Sequence, residues 1–421
     1  MTEYARPGQY WLGRNHAWLL IVATVALFAT KTLFNYPLGL MTILGVILLI
    51  RRPHALWDWG NPAIRTLTLM FLCLWIPMML SLPDAVDRGR AVGTALTEVR
   101  FLFAGLWAIY VLRNPLTRSR AELAFFLLYT FWGADALLQF FAGRDIFGYP
   151  YDGHLLMGAF YPKATMGLVM GTLLPLYYEA LRRRMHKHPW IIALVLIAWA
   201  AILLSENRTS WFMAGLGTLG YAFYLFRVAR RIAWPRVLAL AVAGAVVLGA
   251  FATQYAPLRN KFIITSGLFS GDYKAIDKAT SYRLSLWRTA LNMYEAHWLN
   301  GVGPRGYRYV YKDYAAKDDW WLRHDGKGQT HPHQTTLEIA AETGTFGLIG
   351  YALLWLILYR YYRRRDIRIE EKPWAIAMVV AMFPLNVHMA FYASYWGSVY
   401  WWIICLGLAA SRPARSTPAA P

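Results

Sequence analysis

Two histidines on either side of a proline are the residues of this sequence best suited to acid–base chemistry. The run Thr330-His331-Pro332-His333-Gln334-Thr335 directly precedes a long apolar stretch. Proline fixes its own backbone angle and is favoured at the start of a helix, so the two imidazoles should have defined directions. A neutral imidazole near pH 7 can take a proton from a hydroxyl group. The more common interpretation of a single histidine at such a place is structural.

The histidines end a long polar segment, residues 253–333, that lies between apolar stretches. It contains twelve basic and seven acidic residues, a balance of +5. That excess is compatible with a solvated loop beside anionic lipid headgroups, and equally with a site for an anionic, phosphorylated substrate.

Part of this segment has the spacing of an amphipathic helix. Its apolar positions fall three or four residues apart, or at sums of these, at Leu284, Trp287, Leu291 and Tyr294. The pattern predicts a helix that lies on the membrane surface through these four side chains. Ser281 is the expected N-cap, which would place Arg283 in the first turn. A cation there opposes the helix dipole, so an anion is expected nearby.

Two further features could bind a ligand. The run Gly301-Val302-Gly303-Pro304-Arg305-Gly306 requires either tight backbone geometry or close approach to a ligand. It is not a dinucleotide fingerprint, because no strand precedes it and the spacing differs. Arg208 follows an apolar stretch and precedes another. Its guanidinium could simply extend to the interface, or it could bind a phosphate group through two parallel hydrogen bonds.

We expect neither a metal site nor a disulfide. Zinc requires more ligands than the outer segments offer in a suitable spacing. Cys73 and Cys405 lie inside apolar stretches, so they cannot cross-link the polar segment. No cofactor is indicated.

The elements that must position these residues are membrane helices. The chain is 57% hydrophobic with a mean hydropathy of +0.32, which is too apolar for a soluble domain of its length. Lipid cannot satisfy an open backbone, so each span must be helical, and the fold class is an all-α integral membrane protein. About twelve spans are predicted, at residues 16–32, 36–50, 64–82, 91–112, 122–141, 163–181, 189–204, 210–226, 234–252, 334–359, 374–391 and 394–410.

The distribution of positive charge predicts the orientation. A net charge of +20 could indicate nucleic-acid binding, but the charges are concentrated between spans. One set of short connections, with the termini, carries 24 Lys and Arg residues, and the alternate set carries six. This asymmetry places both termini in the cytoplasm and residues 253–333 outside. We divide the chain into spans one to nine (1–252), an outer loop domain (253–333), spans ten to twelve (334–410) and a disordered cytoplasmic tail (411–421). The first span, followed by Lys31, has no cleavage pattern and is expected to remain as an anchor.

At this point the sequence resembles the O-antigen ligases and the related polymerases of one superfamily. His333-Gln334 followed by Gly344 is similar to the signature of that superfamily, and the similarity extends through Gly347. Three other segments resemble family segments in the same order, namely Asp135 to Phe160, Arg208-Thr-Ser-Trp211, and Ser281-Tyr-Arg283 with the Gly301 turn. The resemblance covers roughly Trp132 to Gly347. The sequence departs from it at His297-Trp298, where relatives often have proline.

The resemblance implies a GT-C-like enzyme of the bacterial inner membrane with its active site on the periplasmic face. Such an enzyme moves a glycan from undecaprenyl pyrophosphate to a hydroxyl of the lipid A–core, with inversion and without a metal or cofactor. His333 would be the general base, while Arg208 and Arg283 would bind the pyrophosphate. Further substrate-binding residues would be His331, Arg288, Arg305, Gln334, Gly301 and Gly303.

Three alternatives remain open at this stage. A polymerase would use the same donor with a growing glycan as the acceptor, and a protein O-oligosaccharyltransferase would use protein hydroxyls. A transporter is the alternative from another class. It is placed last because broken helices and charged residues in the middle of spans appear sparse in the sequence.

Overall fold

The computed structural model describes residues 16–185, 187–228, 254–364, 367, 369–386 and 389–410. Within these ranges every regular element is helical, which confirms the all-α prediction for the described part of the chain. The predicted ninth span (234–252) and the predicted tail (411–421) lie outside the described residues.

The described residues between 16 and 228 form nine α-helices. They are α1 (Ala17–Ala26), α2 (Asn35–Arg51), α3 (Pro53–Leu56), α4 (Pro62–Ser81), α5 (Arg88–Val111), α6 (Pro115–Ala142), α7 (Met166–Met185), α8 (Leu194–Leu204) and α9 (Arg208–Val228). Three of them begin where an Asn or Asp side chain accepts a hydrogen bond from a first-turn N–H: Asn61 before α4, Asp87 before α5 and Asn114 before α6.

The polar segment forms five short helices, and three longer ones follow. The short helices are α10 (Ala256–Ser266), α11 (Tyr273–Ala279), α12 (Leu284–Ala296), α13 (Tyr311–Tyr314) and α14 (Trp320–Asp325). The later helices are α15 (Thr335–Tyr362), α16 (Lys372–Ala381) and α17 (Ser394–Ala410).

Four of the described helices, α4, α5, α6 and α15, are long and apolar enough to cross a membrane. Shorter apolar helices cover residues 17–29, 35–51 and 189–204. These features are those of a membrane protein, whereas the count of twelve spans stays a prediction.

A large hydrophobic core joins α1, α2 and α4–α8 with α15–α17. A second, smaller cluster lies in the polar segment and includes Leu286, Met293 and Tyr307. Ala341 of α15 belongs to this second cluster, so the polar segment is packed on the first half of α15.

The eleventh predicted span is wrong in its extent. Its helix ends at Ala381, about ten residues before the predicted end, and the described residues from Met382 to Ala393 are not helical. The sequence contains the reason at Pro384. Proline cannot donate a backbone hydrogen bond, and it disfavours helical geometry in the residue before it.

Candidate active site

Helix α15 is interrupted at Gly344, and a segment of the polar region fills the gap. Gly344 has φ 62° and ψ −156°, a backbone conformation that is open almost only to glycine. Beyond it, Thr345 N donates to Trp298 O at 2.8 Å and Phe346 N donates to Leu299 O at 3.2 Å. In an unbroken helix these two N–H groups would bind the carbonyls of residues 341 and 342.

The same segment satisfies the carbonyls that the break leaves free. Val302 N donates to Ala341 O and Gly303 N donates to Glu342 O, each at 2.9 Å. Residues 298–303 therefore replace the missing hydrogen bonds of α15 on both sides of the break. Unpaired backbone groups are costly inside a protein and more so in a membrane, so this exchange fixes the polar segment to α15.

The glycine turn has a packing role in this exchange. Gly301 has φ 70°, and a Cβ there would collide with the backbone of Glu342 and Thr343. A Cβ on Gly303 would meet Ala85 of the turn before α5. Close approach of protein backbone thus accounts for both glycines, and their contact with a substrate stays a prediction.

Arg208 and Arg283 are brought close to each other. Arg208 is the first residue of α9, and its guanidinium donates to Ala279 O at 2.5 Å, to Ser281 Oγ at 2.6 Å and to Thr265 Oγ1 at 3.2 Å. All three partners are neutral oxygens.

Arg283 lacks an ion-pair partner in the described part of the chain. Burial, and then the neighbouring charge of Arg208, lower the pKa of the Arg283 guanidinium to about 10. Two partly desolvated cations held together by neutral contacts form a site that an anion would stabilise.

The start of α12 differs from the prediction. Ser281 is not its N-cap: Ser281 and Tyr282 both have positive φ, so the helix begins only at Leu284. The carboxylate of Asp277 accepts from Leu284 N at 3.2 Å and so replaces the predicted serine cap. Arg283 stands in the N-cap position, where its guanidinium lies beside Arg208.

The face of α12 that the fold buries is not the predicted apolar face, whose position on a membrane surface stays a prediction. The side chains that the fold buries are Leu286, Thr289, Ala290 and Met293, while Leu291 is largely exposed. Helix α12 has apolar residues on two faces. The face adjacent to α15 is packed in the second, smaller hydrophobic cluster. Exposed apolar residues are instead frequent on α10 and the turn after it, where Phe269 is 90% exposed.

The rings of His331 and His333 lie against each other just before α15, with centroids 3.9 Å apart and ring planes tilted by 42°. Thr330 Oγ1 and His331 Nδ1 are 3.0 Å apart. Gln334 is the N-cap of α15, and its side-chain oxygen accepts from Leu337 N. This contact gives Gln334 a structural role at the helix start, next to His333.

Strained backbone coincides with these motifs. Apart from Leu155, the non-glycine residues with positive φ in the described ranges are Glu206, Ser281, Tyr282, Arg305 and His333. Each lies within two residues of Arg208, Arg283 or the glycine turn, or is the candidate base itself. Such conformations cost about 1–3 kcal/mol each and are concentrated at functional sites in proteins.

Two carboxylates that the sequence interpretation left without a role lie at the centre of this region. Glu338 accepts from Phe391 N at 2.9 Å and from Tyr392 N at 3.2 Å, so it binds the non-helical segment before α17. Glu342 accepts from Arg305 N at 2.6 Å. Both side chains are fully buried. Ionisable residues within an apolar span are expected to be functional, so the sequence did contain a signal for them.

Arg305 and Arg308 surround these carboxylates without forming an ion pair in the described chain. Arg305 is only 8% exposed, and its Nε and Nη1 have no hydrogen-bond partner. Burial, and then the charge of Arg305, lower the pKa of Arg308. Arg288 differs from both because it is exposed on α12.

The predicted residues thus form an arginine pair, a histidine pair and a glycine–arginine turn. Helix α12 begins at the arginine pair and packs on α15, which begins after the histidines. The turn is fixed to the break in α15. All three groups are therefore attached to the first half of one helix.

The family model described as O-antigen ligase matches residues 193–352 of the chain. This match, over less than half of the chain, supports membership in the O-antigen ligase and polymerase superfamily. No curated protein matches it. The matched residues include the arginine pair, the histidine pair and the break at Gly344. The family match supports a glycosyltransferase-like activity on lipid-linked or polysaccharide substrates.

The break in α15 and the early end of α16 also correct one argument from the sequence. Interrupted helices are not sparse, and Glu338 and Glu342 are buried charges within an apolar helix. That part of the case against a transporter is wrong. The argument against a transporter now depends on the family match.

Proposed function

We propose that this protein is an O-antigen ligase that transfers a glycan from undecaprenyl pyrophosphate to a hydroxyl of the lipid A–core. The observation that carries the proposal is the pairing of Arg208 and Arg283: Arg208 donates to Ser281 Oγ, two residues before Arg283, and neither guanidinium has a carboxylate partner in the described chain. A pyrophosphate would supply the negative counter-charge that the two arginines do not receive from a carboxylate. The planar N–H donors of a guanidinium group also match the spacing of phosphate oxygen atoms.

The proposed reaction needs one base and one leaving group. His333 accepts the proton of the acceptor hydroxyl while that oxygen attacks the anomeric carbon of the donor. The bond from this carbon to the pyrophosphate oxygen breaks on the opposite side, so the configuration inverts. The lipid pyrophosphate leaves with the electron pair, and Arg208 and Arg283 stabilise its charge. No metal or cofactor is part of this scheme.

The other predicted residues take supporting positions. The ring of His331 lies against the proposed base, and Gln334 caps the helix that follows it. We propose that Arg288 and Arg305 contact the substrates and that Gly301 and Gly303 hold the turn in place. The domain limits (1–252, 253–333, 334–410) and the location in the bacterial inner membrane, with this site on the periplasmic face, belong to the same proposal.

The test is an assay of the purified protein with one donor and three acceptors. The donor is an undecaprenyl-pyrophosphate-linked glycan, and the acceptors are lipid A–core, a second lipid-linked glycan and a protein with accessible hydroxyls. Glycan on lipid A–core alone is the expected result. Lengthening of the lipid-linked glycan would instead identify a polymerase, and glycan on the protein an oligosaccharyltransferase.

A further inference from the structure

A surface turn contacts the starts of both helices that carry the proposed chemistry. Helix α16 ends at Ala381, and in the residues that follow it Asn386 N donates to Phe383 O at 2.9 Å, which closes a turn of four residues. Leu385, inside this 383–386 turn, is 60% exposed, so the turn lies at the surface of the protein.

One side of the 383–386 turn is bound to the start of α15. Thr335 N donates to Asn386 O at 3.1 Å, and Thr336 Oγ1 donates to Pro384 O at 2.9 Å. Thr335 is the first residue of α15 and follows His333 by two positions. The turn therefore lies next to the candidate base, and its carbonyls bind groups that the helix start leaves without an intrahelical partner.

The other side of the 383–386 turn contacts α9. The ring centroids of Phe383 and Phe212 are 5.5 Å apart. Phe212 follows Arg208, the first residue of α9, by about one helical turn. The 383–386 turn thus contacts both the helix that begins at the arginine pair and the helix that begins after the histidine pair.

The side chain of Asn386 takes no part in holding this turn. Asn386 is only 2% exposed, and neither its Oδ1 nor its Nδ2 has a hydrogen-bond partner in the described part of the chain. Only the backbone oxygen of Asn386 binds Thr335. A buried amide without partners is costly, and such groups in native proteins often have a role in function.

The chemistry of the amide indicates what it can bind. An asparagine side chain offers two N–H donors and one acceptor oxygen, and it carries no charge. A hydroxyl group also donates and accepts, so it can satisfy both ends of the amide in turn. An ionised pyrophosphate only accepts hydrogen bonds, and the guanidinium groups of Arg208 and Arg283 suit it better.

From these observations we propose that Asn386 binds the acceptor sugar, at a hydroxyl that neighbours the one deprotonated by His333. Two polar side chains at adjoining positions then hold two hydroxyls of one molecule, which requires a polyhydroxyl acceptor rather than a single serine or threonine. This inference rests on the transfer reaction proposed above and adds a residue that recognises the acceptor. Asn386 does not contact the donor in this scheme.

The kinetics of two variants test the assignment. Asn386→Ala and Asn386→Leu would be purified as full chains, and KM would be measured for the acceptor and for the undecaprenyl-pyrophosphate-linked donor. The acceptor KM should rise about tenfold, as expected for the loss of a hydrogen bond to a neutral group, while the donor KM stays unchanged. An unchanged acceptor KM in both variants, or equal rises for acceptor and donor, would overturn the proposal.

The choice of acceptor keeps this test separate from that of the proposed ligase reaction. If the wild type extends a lipid-linked glycan instead of modifying lipid A–core, the ligase assignment is wrong, and the same KM comparison with that sugar tests Asn386. Transfer by the wild type to protein hydroxyls alone would contradict a polyhydroxyl acceptor.

Thermal unfolding separates a binding role from a structural one. Asn386→Ala breaks no hydrogen bond of the described chain, so its unfolding midpoint should equal or exceed that of wild type. Asn61→Ala is the matched control, because the Asn61 side chain accepts from Ala63 N at 2.9 Å and caps α4. This control should unfold at a lower temperature and leave both KM values unchanged. A fall in Asn386→Ala as large as that in Asn61→Ala would show a structural amide and refute the assignment.

Discussion

At the scale of single residues, the imidazole of His333 is the group on which the proposed chemistry depends. We expect His333→Ala to reduce transfer by about 10²–10⁴-fold, the usual contribution of a general base. His333→Asn should be equally inactive and better folded, because asparagine tolerates the left-handed backbone that His333 adopts. Transfer is measured with the purified variants.

His331, the other histidine of the pair, provides the comparison for that experiment. His331→Ala removes the other ring of the pair but leaves the proposed base, so its loss of activity should be much smaller. If His331→Ala is the more damaging change, His331 is the base and the role proposed for His333 is wrong.

Because the arginine pair is proposed to bind the donor, replacing either arginine should weaken donor binding. Arg208→Ala and Arg283→Ala should each weaken binding of undecaprenyl pyrophosphate, and His333→Ala should not. Arg→Lys at either position keeps the charge but loses the planar geometry, so it should also be damaging. Because both groups are proposed to bind one ligand, the double variant should lose less binding energy than the two single losses added together.

Lys274 offers a matched control for this measurement, since it is an exposed cation on the neighbouring helix α11. Lys274→Ala should bind the donor as wild type does. Equal donor affinity in wild type and both arginine variants would mean that Arg208 serves only to join α9 to the polar segment.

The same pair leads us to expect that transfer needs no divalent metal. Two guanidinium groups can neutralise the leaving pyrophosphate without one. Activity should therefore persist in EDTA. Activity that is lost in EDTA and restored by magnesium or manganese would contradict this expectation.

At the scale of the elements, the junction between residues 298–303 and α15 holds the site together. Gly344→Ala would place a Cβ 2.5 Å from the backbone of Leu299 and Asn300, in a conformation that alanine adopts poorly. We expect this change to destabilise the junction by roughly 2–4 kcal/mol. Transfer should fall, and the polar segment should become sensitive to protease while the helix bundle stays intact.

Gly215→Ala is the control for that change. Gly215 lies in α9, and a Cβ there would meet no atom within 4 Å. Alanine also favours a helix more than glycine does, so this variant should be at least as stable as wild type. Equal protease resistance in Gly344→Ala and Gly215→Ala would show that the junction does not secure the polar segment.

The helices also show what the sequence could and could not predict. Hydrophobic runs located the apolar described helices to within a few residues, apart from the start of α6 and the end of α16, because an apolar run of that length is an intrinsic property of the sequence. The capping carboxylate of Asp277 and the buried face of α12 were not predictable in this way. Both depend on contacts between distant segments, and α12 has apolar residues on more than one side.

The candidate site was predictable to a similar degree. Its arginines and histidines were recognised from residue type and family resemblance. For Gly301 and Gly303 the sequence leaves two interpretations open, because a close approach to protein backbone has the same sequence signature as a close approach to a ligand. Asn386 O accepts from Thr335 N at 3.1 Å, and the buried side chain of Asn386 has no hydrogen-bond partner among the described residues, but the sequence gave no signal for it.

At the scale of the whole molecule, the proposed reaction requires one orientation in the membrane. Polyprenyl-linked donor and core acceptor must reach the polar segment from outside, so residues 253–333 must be periplasmic. The short connections, with 24 Lys and Arg residues against six, predict the same orientation.

Cysteine labelling can test this orientation at two exposed positions. Ser270 lies in the polar segment and Ser119 lies near the start of α6. In a background that lacks Cys73 and Cys405, Ser270→Cys should react with a membrane-impermeant maleimide in intact spheroplasts. Ser119→Cys should react only after lysis. The two sites differ in nothing that lysis changes except the side of the membrane, so the reversed pattern would place the polar segment in the cytoplasm. The proposed ligase reaction could not then occur at this site, because its donor glycan and core acceptor would lie on the other side of the membrane.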